Sequence, residues 1–495
     1  MRLSRLVTAL EGAALHGFRD AEVCGLAFDS RRVTPGALFV AVPAVGGDVD
    51  SGGSRFIASA LEKGAAAIVV PAGVAPPAGV PVVVVPNARA ALADLAAEFY
   101  GHPSRRLALF AVTGTDGKTT TTYLLEQVLR RAGFATGLIG TVETRIGEQA
   151  RYNTDRMTTP ESPDVQRLLA EMADAAVTHV AMEASSHALA LDRLRGCSFA
   201  ACAVTNITAD HVEFHGSWEA YFAAKARLFT DLAAGRPSVL NRDDRHFDRL
   251  RAMIDGPVTT YGFHPSSDVR ATDLRGDPAG SCFVVHSGGE SRPAHLPLAG
   301  PFNVSNALAV AALAAIAGLP LEAIVAALAR VEGPPGRMQR VDAGQDFTVL
   351  VDYAHTPHAF RTVVESVRHA LPPDRRLIAV FGAAGDRDRA KRPELARIAR
   401  ELTDFFFITN EDPFGEDAAA IIAEIAAGVP PDEEGERYRC EPDRGRAIAQ
   451  ALAAARAGDA VVILGKGHEQ NIVTGSHREP WSDALTARAA LEALR

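Results

Sequence analysis

The run Val112-Thr113-Gly114-Thr115-Asp116-Gly117-Lys118-Thr119-Thr120 lies between an apolar stretch from Leu107 to Val112 and a helical stretch from Tyr123 to Arg131. Strand, glycine turn and helix in that order form the context a phosphate loop requires. The glycines allow backbone N–H groups to turn inward around phosphate oxygens. Lys118 adds a point charge, and the hydroxyl of Thr119 or Thr120 can reach a magnesium ion. The loop is shorter than the common G-x-x-x-x-G-K-[ST] form, whose first glycine would fall where Val112 stands. A plain glycine turn between a strand and a helix is the competing reading. The four hydroxyls from Thr119 to Thr122 at the helix start favour phosphate over ordinary capping.

Short Val/Ile/Phe-rich runs alternate with Ala/Leu-rich stretches along the whole chain, the pattern of parallel sheets covered by helices. The expected fold class is α/β. At about 150 residues per domain, 495 residues suggest three domains. The first, 1–104, holds strand-like runs at Leu38 to Val42, Ala66 to Val70 and Val82 to Val85, a helix from Arg89 to Tyr100, and the breaker Gly101-His102-Pro103. The second, 105–336, is a P-loop-type ATPase domain with a mostly parallel sheet: Gly137 to Ile139, His179 to Met182, Ala200 to Thr205 and Ser238 to Leu240. A helix from Pro320 to Arg330 and Gly333-Pro334-Pro335-Gly336 close it. The third, 337–495, reads as Rossmann-like, with strands at Thr348 to Asp352, Leu377 to Phe381, Asp404 to Thr409 and Ala460 to Leu464. No G-x-G-x-x-G follows its first strand, so nicotinamide binding is not supported.

A formal net charge of -9 argues against a nonspecific nucleic-acid binder, so anionic substrates must be met by local cations. Five scattered cysteines without a C-x-x-C pair suggest neither a disulfide framework nor a zinc knuckle, and fit a reducing cytoplasm. Glu11 and Gly12 interrupt any signal-peptide core. The apolar region Ala65 to Pro86 carries too many Gly and Pro residues for a membrane helix.

Two expected strand ends of the middle domain carry ligand-type side chains. Glu183 follows Met182, and Thr205-Asn206-Ile207-Thr208-Ala209-Asp210-His211 with His215 follows the next strand. In open α/β sheets ligands collect at the carboxyl ends of strands. Glu183 is therefore a candidate magnesium ligand, with a solvated loop acid as the alternative, and His211 is a ligand or a helix-capping side chain.

Together with Lys225 in Ala223-Ala224-Lys225-Ala226, these segments resemble the Mur ligase family. The resemblance implies that Gly114, Thr115, Asp116, Gly117, Lys118, Thr119, Thr120 and Asn206 hold ATP. It also implies that Thr119, Glu183, His211 and a carbamoylated Lys225 serve magnesium, and that Lys118, Lys225 and His211 form the catalytic set. A carbamate needs a neutral amine and hence a lowered pKa. On pattern alone Lys225 reads as a helix-surface lysine. Asn303, Arg337 and Asp352 match the family's other nucleotide-contacting segments. Taken singly, Asn303 is also readable as a helix cap and Arg337 as a linker ion pair.

Asp29-Ser30-Arg31, Thr158-Thr159-Pro160, Gly385-Asp386-Arg387-Asp388 and Gly465-Lys466-Gly467-His468-Glu469 resemble the family members that extend a UDP-sugar dipeptide with a diamino acid. By that resemblance Ser30, Thr158, Thr159, Ser185 and Arg193 hold UDP-N-acetylmuramoyl-L-Ala-D-Glu. Arg387, Gly465 and Glu469 hold the incoming amino acid, and its side-chain ammonium is expected to meet Glu411, Asp412 or another acid. Asp116 stands where many relatives carry asparagine, and Leu191 where some carry glutamine. Enzymes of this type that add meso-diaminopimelate usually carry Asp-Asn-Pro-Arg, whereas this chain has Glu411-Asp412-Pro413-Phe414. Phe414 cannot grip a distal carboxylate as a guanidinium does, so L-ornithine or L-lysine is favoured over diaminopimelate.

The implied activity is that of a cytoplasmic, monomeric ATP- and magnesium-dependent acid–amino-acid ligase in peptidoglycan precursor synthesis, working through an acyl phosphate. Alternatives are a sibling ligase of the D-Ala-D-Ala-adding or folylpolyglutamate type, or a non-catalytic nucleotide-binding relative. The last would show damage among Lys118, Glu183, His211 and Lys225, all of which are present.

Overall fold

The computed structural model describes residues 1–17, 19–153, 157–208, 210–277 and 280–494. Backbone contacts divide it into two compact units, Met1–Tyr261 with Ala312–Gly318, and Gly262–Ala311 with Leu319–Arg495.

The first unit contains two sheets. Near the N-terminus, strands run in the order Ala14–His16, Val82–Val85, Ala67–Pro71, Ala37–Val40 and Gly25–Ala27, parallel except for the first. Nearly every side chain in the three middle strands is buried, as expected of valine-rich strands covered on both faces. The helix Ala88–Phe99 covers this sheet, capped by Asn87, whose side chain accepts from the Arg89 and Ala90 N–H groups.

The second sheet is built around Ala108–Thr113, flanked by His179–Glu183 and Ala201–Val204. Thr136–Ile139 extends it on one side, and Ser238–Asn241 and Val258–Gly262 on the other, all parallel. An antiparallel extension, Glu143–Ile146 and Gln149–Tyr152, lies beyond Thr136–Ile139. Sequence pattern missed this hairpin because its polar side chains make no apolar run. The helix after the phosphate loop spans Lys118–Arg131, beginning five residues before the expected Tyr123. Thr119 to Thr122 are buried in its first turn, and the Thr122 hydroxyl donates to the Lys118 carbonyl at 3.0 Å.

The second unit carries a three-stranded antiparallel meander, Val269–Asp277, Gly280–Ser287 and Glu290–Leu296, and a six-stranded sheet. Strands of the latter run in the order Gln339–Arg340, Thr348–Asp352, Ala460–Leu464, Leu377–Phe381, Phe405–Ile408 and Tyr438–Cys440, parallel except for the short first. The last strand of this sheet in chain order, Ala460–Leu464, lies between two earlier ones, so neighbouring connections leave in opposite directions, the arrangement at whose carboxyl ends open α/β sheets collect ligands. Among the described residues no helix is long and apolar enough to cross a membrane.

Candidate active site

The phosphate loop is held by the end of the neighbouring strand. Asn206 receives the Asp116 N–H on its side-chain oxygen at 3.0 Å, and its own carbonyl accepts from the Thr115 N–H at 2.8 Å. Gly114 has φ +149°, and any Cβ there would collide with the Thr205 hydroxyl. Gly117 takes φ +84° as the residue before the helix, a conformation that glycine adopts without steric cost. Lys118 Nζ curls back to the carbonyls of Gly114 and Thr115, each at 2.8 Å. The Thr115 hydroxyl sits 2.8 Å from the Tyr221 hydroxyl.

Glu183 is fully buried and forms no ion pair among the described residues. Its carboxylate accepts the Thr141 N–H at 2.7 Å and the hydroxyls of Thr119 and Thr141 at 2.9 Å each. A buried carboxylate held by hydroxyls rather than by a cation, beside the helix threonine, suits a hard divalent ion with oxygen ligands. From there a chain of contacts leads outward. The Thr158 hydroxyl lies 3.1 Å from that of Thr141, and the Thr159 hydroxyl donates to the Glu183 carbonyl at 2.8 Å and accepts from the Ser185 N–H at 3.1 Å. Arg193 donates to the Thr159 carbonyl at 3.0 Å and pairs with Glu161 at 2.8 Å. Thr158, Thr159, Ser185 and Arg193 are thus brought together beside Glu183. Ser30 lies in a short turn of the N-terminal part, its carbonyl accepting from Lys63 Nζ at 2.9 Å. Thr141, central to this network, carried no signal in the sequence beyond its residue type.

Lys225 is the chief correction to the pattern-based reading, being 1% exposed rather than on a helix surface. Its Nζ donates to the Gly114 carbonyl at 2.6 Å and lies 4.7 Å from the centre of the Tyr221 ring. Burial, with the Lys118 charge nearby, pushes its pKa well below the ordinary lysine value. His211 adopts φ +50° with its side chain 46% exposed, 3.3 Å from Asp210 and 3.5 Å from Glu213. Its ring packs edge-on against His187 at 4.7 Å. Burial, assisted by the charges of His211 and His215, lowers His187 to about 4. Ala209 lies outside the described residues. Among those described, no group of three or more His, Cys, Asp or Glu is arranged to hold a metal ion.

In the second unit Asp352 ends its strand with the carboxylate engaged by the N–H groups of Met338 and Ala354, each at 2.7 Å. The Arg337 guanidinium lies over the Tyr353 ring at 4.8 Å. Asn303 is buried, its amide donating to the Ala299 carbonyl at 2.8 Å. Glu411 and Asp412 follow the strand Phe405–Ile408 and are both buried, but they differ. Asp412 accepts from Lys466 Nζ and the Val473 N–H, each at 2.8 Å, and Lys466 also pairs with Glu469 at 2.8 Å. One Glu411 oxygen, Oε2, is buried with no hydrogen-bond partner, and burial pushes its pKa up against the pull of Lys466, Arg444 and Lys391. Gly465, at φ +107°, faces that oxygen where any Cβ would strike it. Phe414 sits at φ +48°, its ring 5.2 Å from the Arg387 guanidinium carbon. Lys466 and Lys391 are charged neighbours that motif matching did not single out.

A phosphate loop beside a buried carboxylate in one unit and a buried carboxylate pair in the other lie at the ends of parallel strands, and comparison with known proteins gives the family. Family models match at residues 22–100 (Mur ligase family, catalytic domain), 112–314 (Mur ligase middle domain) and 336–467 (Mur ligase, glutamate ligase domain). The chain belongs to the Mur ligase family, whose members are ATP-dependent ligases that form peptide bonds in peptidoglycan synthesis. It is 49% identical to the UDP-N-acetylmuramyl-tripeptide synthetase of Roseiflexus sp. (strain RS-1), over 96% of each chain. It is 42% identical to the UDP-N-acetylmuramoyl-L-alanyl-D-glutamate--2,6-diaminopimelate ligase of Geobacillus thermodenitrificans (strain NG80-2), over 100% of each. A solved structure of a ligase with the latter name superposes with a TM-score of 0.69 at 32% identity, covering 95% of each chain. A D-alanyl-D-alanyl ligase from Acinetobacter baumannii superposes at 0.63 with 20% identity, a likeness of fold alone.

Proposed function

We propose that this chain joins the α-amine of a diamino acid to the D-glutamate γ-carboxylate of UDP-N-acetylmuramoyl-L-Ala-D-Glu, with L-ornithine or L-lysine preferred over meso-diaminopimelate. It acts as a cytoplasmic monomer with three domains at 1–104, 105–336 and 337–495. The observation that carries the choice of amino acid is the unpartnered buried oxygen of Glu411, an acceptor suited to a side-chain ammonium. Asp412 is committed to Lys466 and Val473, which leaves Glu411 for that task. Phe414, where related enzymes carry arginine, offers a distal carboxylate nothing. Diaminopimelate remains the second reading, because the Arg387 guanidinium lies over the Phe414 ring and several relatives are named for that substrate.

A carboxylate does not react with an amine at neutral pH, so phosphoryl transfer from ATP supplies the leaving group as an acyl phosphate. The protein's work is positioning and charge neutralisation. Lys118 leaves the carbonyls of Gly114 and Thr115 to meet the phosphates, and Asn206 keeps the loop in shape. Thr119 and Glu183 would hold magnesium, which would screen the triphosphate; the hydroxyl-held buried carboxylate of Glu183 supports this reading. The buried amine of Lys225, its pKa lowered by burial, adds carbon dioxide with loss of a proton to give a carbamate. Thr158, Thr159, Ser185 and Arg193 orient the dipeptide end, while Arg387, Gly465 and Glu469 seat the incoming amino acid.

The test is phosphate release from ATP with UDP-N-acetylmuramoyl-L-Ala-D-Glu and each of the three diamino acids, confirmed by product mass. Turnover with ornithine or lysine supports the reading. Preference for diaminopimelate moves the specificity to Arg387, and silence with all three removes the substrate assignment.

A further inference from the structure

Arg89, in the first turn of the helix Ala88–Phe99, belongs to no motif and is half-buried. Its hydrogen bond runs from Nη2 to the Pro43 carbonyl at 3.2 Å, just past the strand Ala37–Val40. Among the described residues its guanidinium forms no ion pair. The charges that face it are Glu161, Arg193 and Asp192. Glu161 is taken by Arg193 at 2.8 Å and Asp192 by Arg227 at 2.8 Å. One positive charge is therefore left over in a half-buried position. Burial, with Arg193 adding to it against Glu161 and Asp192, lowers the Arg89 pKa, the signature of a cation without its own counter-ion.

The contacts around it form an ordered series. From the phosphate loop, Thr119 meets Glu183 and Thr141, and Thr141 meets Thr158. The Thr159 carbonyl meets Arg193, Arg193 meets Glu161, and Arg89 follows, with the Pro43 carbonyl of the N-terminal sheet at the far end. The γ-carboxylate to be phosphorylated must lie at the phosphate-loop end. An anion at Arg89 then belongs to the opposite end of an extended substrate. For a nucleotide sugar that anion is the pyrophosphate rather than the glutamyl carboxylate.

We infer that Arg89 is a substrate-binding residue whose guanidinium receives the pyrophosphate of the nucleotide-sugar substrate and links it to the Pro43 loop. The assignment rests on the nucleotide-sugar reading given above. A planar guanidinium suits paired phosphate oxygens, and its existing bond to a backbone carbonyl leaves further N–H groups for the ligand.

Arg89→Gln and Arg89→Lys are compared with the wild-type enzyme for turnover of UDP-N-acetylmuramoyl-L-Ala-D-Glu and for inhibition by UDP. Arg89→Gln raises KM for the substrate and Ki for UDP by the same factor, about ten- to a hundredfold, the range of a lost charge-assisted hydrogen bond. It leaves kcat and the KM for ATP within about twofold. Arg89→Lys recovers part of the loss. A change in KM without a matching change in Ki, no change in either, or wild-type enzyme that UDP does not inhibit overturns the assignment. Wild-type enzyme inhibited by UDP but inactive on the UDP-sugar dipeptide overturns the substrate reading instead, and a parallel rise in Ki for the variant upholds Arg89 as the pyrophosphate residue.

Discussion

Arg444 and Asp483 are 2% and 0% exposed and meet through two parallel bonds, Nε to Oδ1 and Nη2 to Oδ2, each 2.7 Å. Arg444 also donates to the carbonyls of Leu464 at 3.0 Å and Asn410 at 3.2 Å, which precede Gly465 and Glu411 in the chain. Trp481 Nε1 donates to Asp483 at 2.8 Å. Arg444→Met leaves a carboxylate buried with one indole N–H for company, and the expected cost is about 3 to 5 kcal/mol. Changing both partners, Arg444→Met with Asp483→Leu, removes the stranded charge and recovers most of that loss. The chain has two tryptophans, and Trp218 lies in the other unit, so a Trp218→Phe background makes Trp481 fluorescence a local reporter of urea unfolding. The single variant also raises KM for the diamino acid more than KM for ATP, because Leu464 and Asn410 lose their common anchor. A single-variant cost below about 1 kcal/mol, or a double variant as unstable as the single, refutes the reasoning.

Replacing Lys225 with alanine lowers kcat by about a hundredfold or more, and acetate or another short carboxylate restores part of it; activity unaffected by the substitution removes the carbamate. Phe414→Arg shifts the ratio of kcat/KM values toward meso-diaminopimelate by about tenfold or more, the worth of a charge-assisted pair, measured by competition between acceptors. Burial raises the Asp459 pKa, but the N–H groups of Arg376 and Arg456 and the Arg376 guanidinium outweigh it and hold the carboxyl below its usual range. A depressed folded pKa means stability that is present above the unfolded value and lost as pH falls through the folded one. The advantage of wild type over Asp459→Asn in urea is therefore constant from neutral pH down to about 5 and shrinks below about 4, by at most about 1.4 kcal/mol per pH unit. An advantage that persists undiminished at pH 3 contradicts the assignment.

The phosphate loop was legible because its glycines, lysine and threonines are contiguous and each type has one obvious use there. The strands from Thr348 to Asp352, Leu377 to Phe381 and Ala460 to Leu464 match the structure residue for residue, since buried parallel strands are continuous apolar runs. Hairpins such as Glu143–Ile146 with Gln149–Tyr152 were not legible, because neither face is wholly buried. Lys225 reads on pattern alone as a surface lysine for a different reason. The helix Trp218–Arg227 gives no local hint of which side meets the loop, and its burial comes from a partner 111 residues away. The distinction between Glu411 and Asp412 was equally hidden, for it depends on where Lys466 and Val473 arrive from the far end of the unit.

The carbonyl of Gly114 accepts from two lysine side-chain nitrogens, those of Lys118 and Lys225. A triphosphate that drew Lys118 away would leave that oxygen to Lys225 alone, and a carbamate on Lys225 would leave its nitrogen a single N–H to offer. On the proposed function, occupancy by the nucleotide and modification of the buried lysine would be coupled through one backbone atom, and each would change the free energy of the other by an equal amount. The loop is a balance with two pans, and a single peptide oxygen is its pivot.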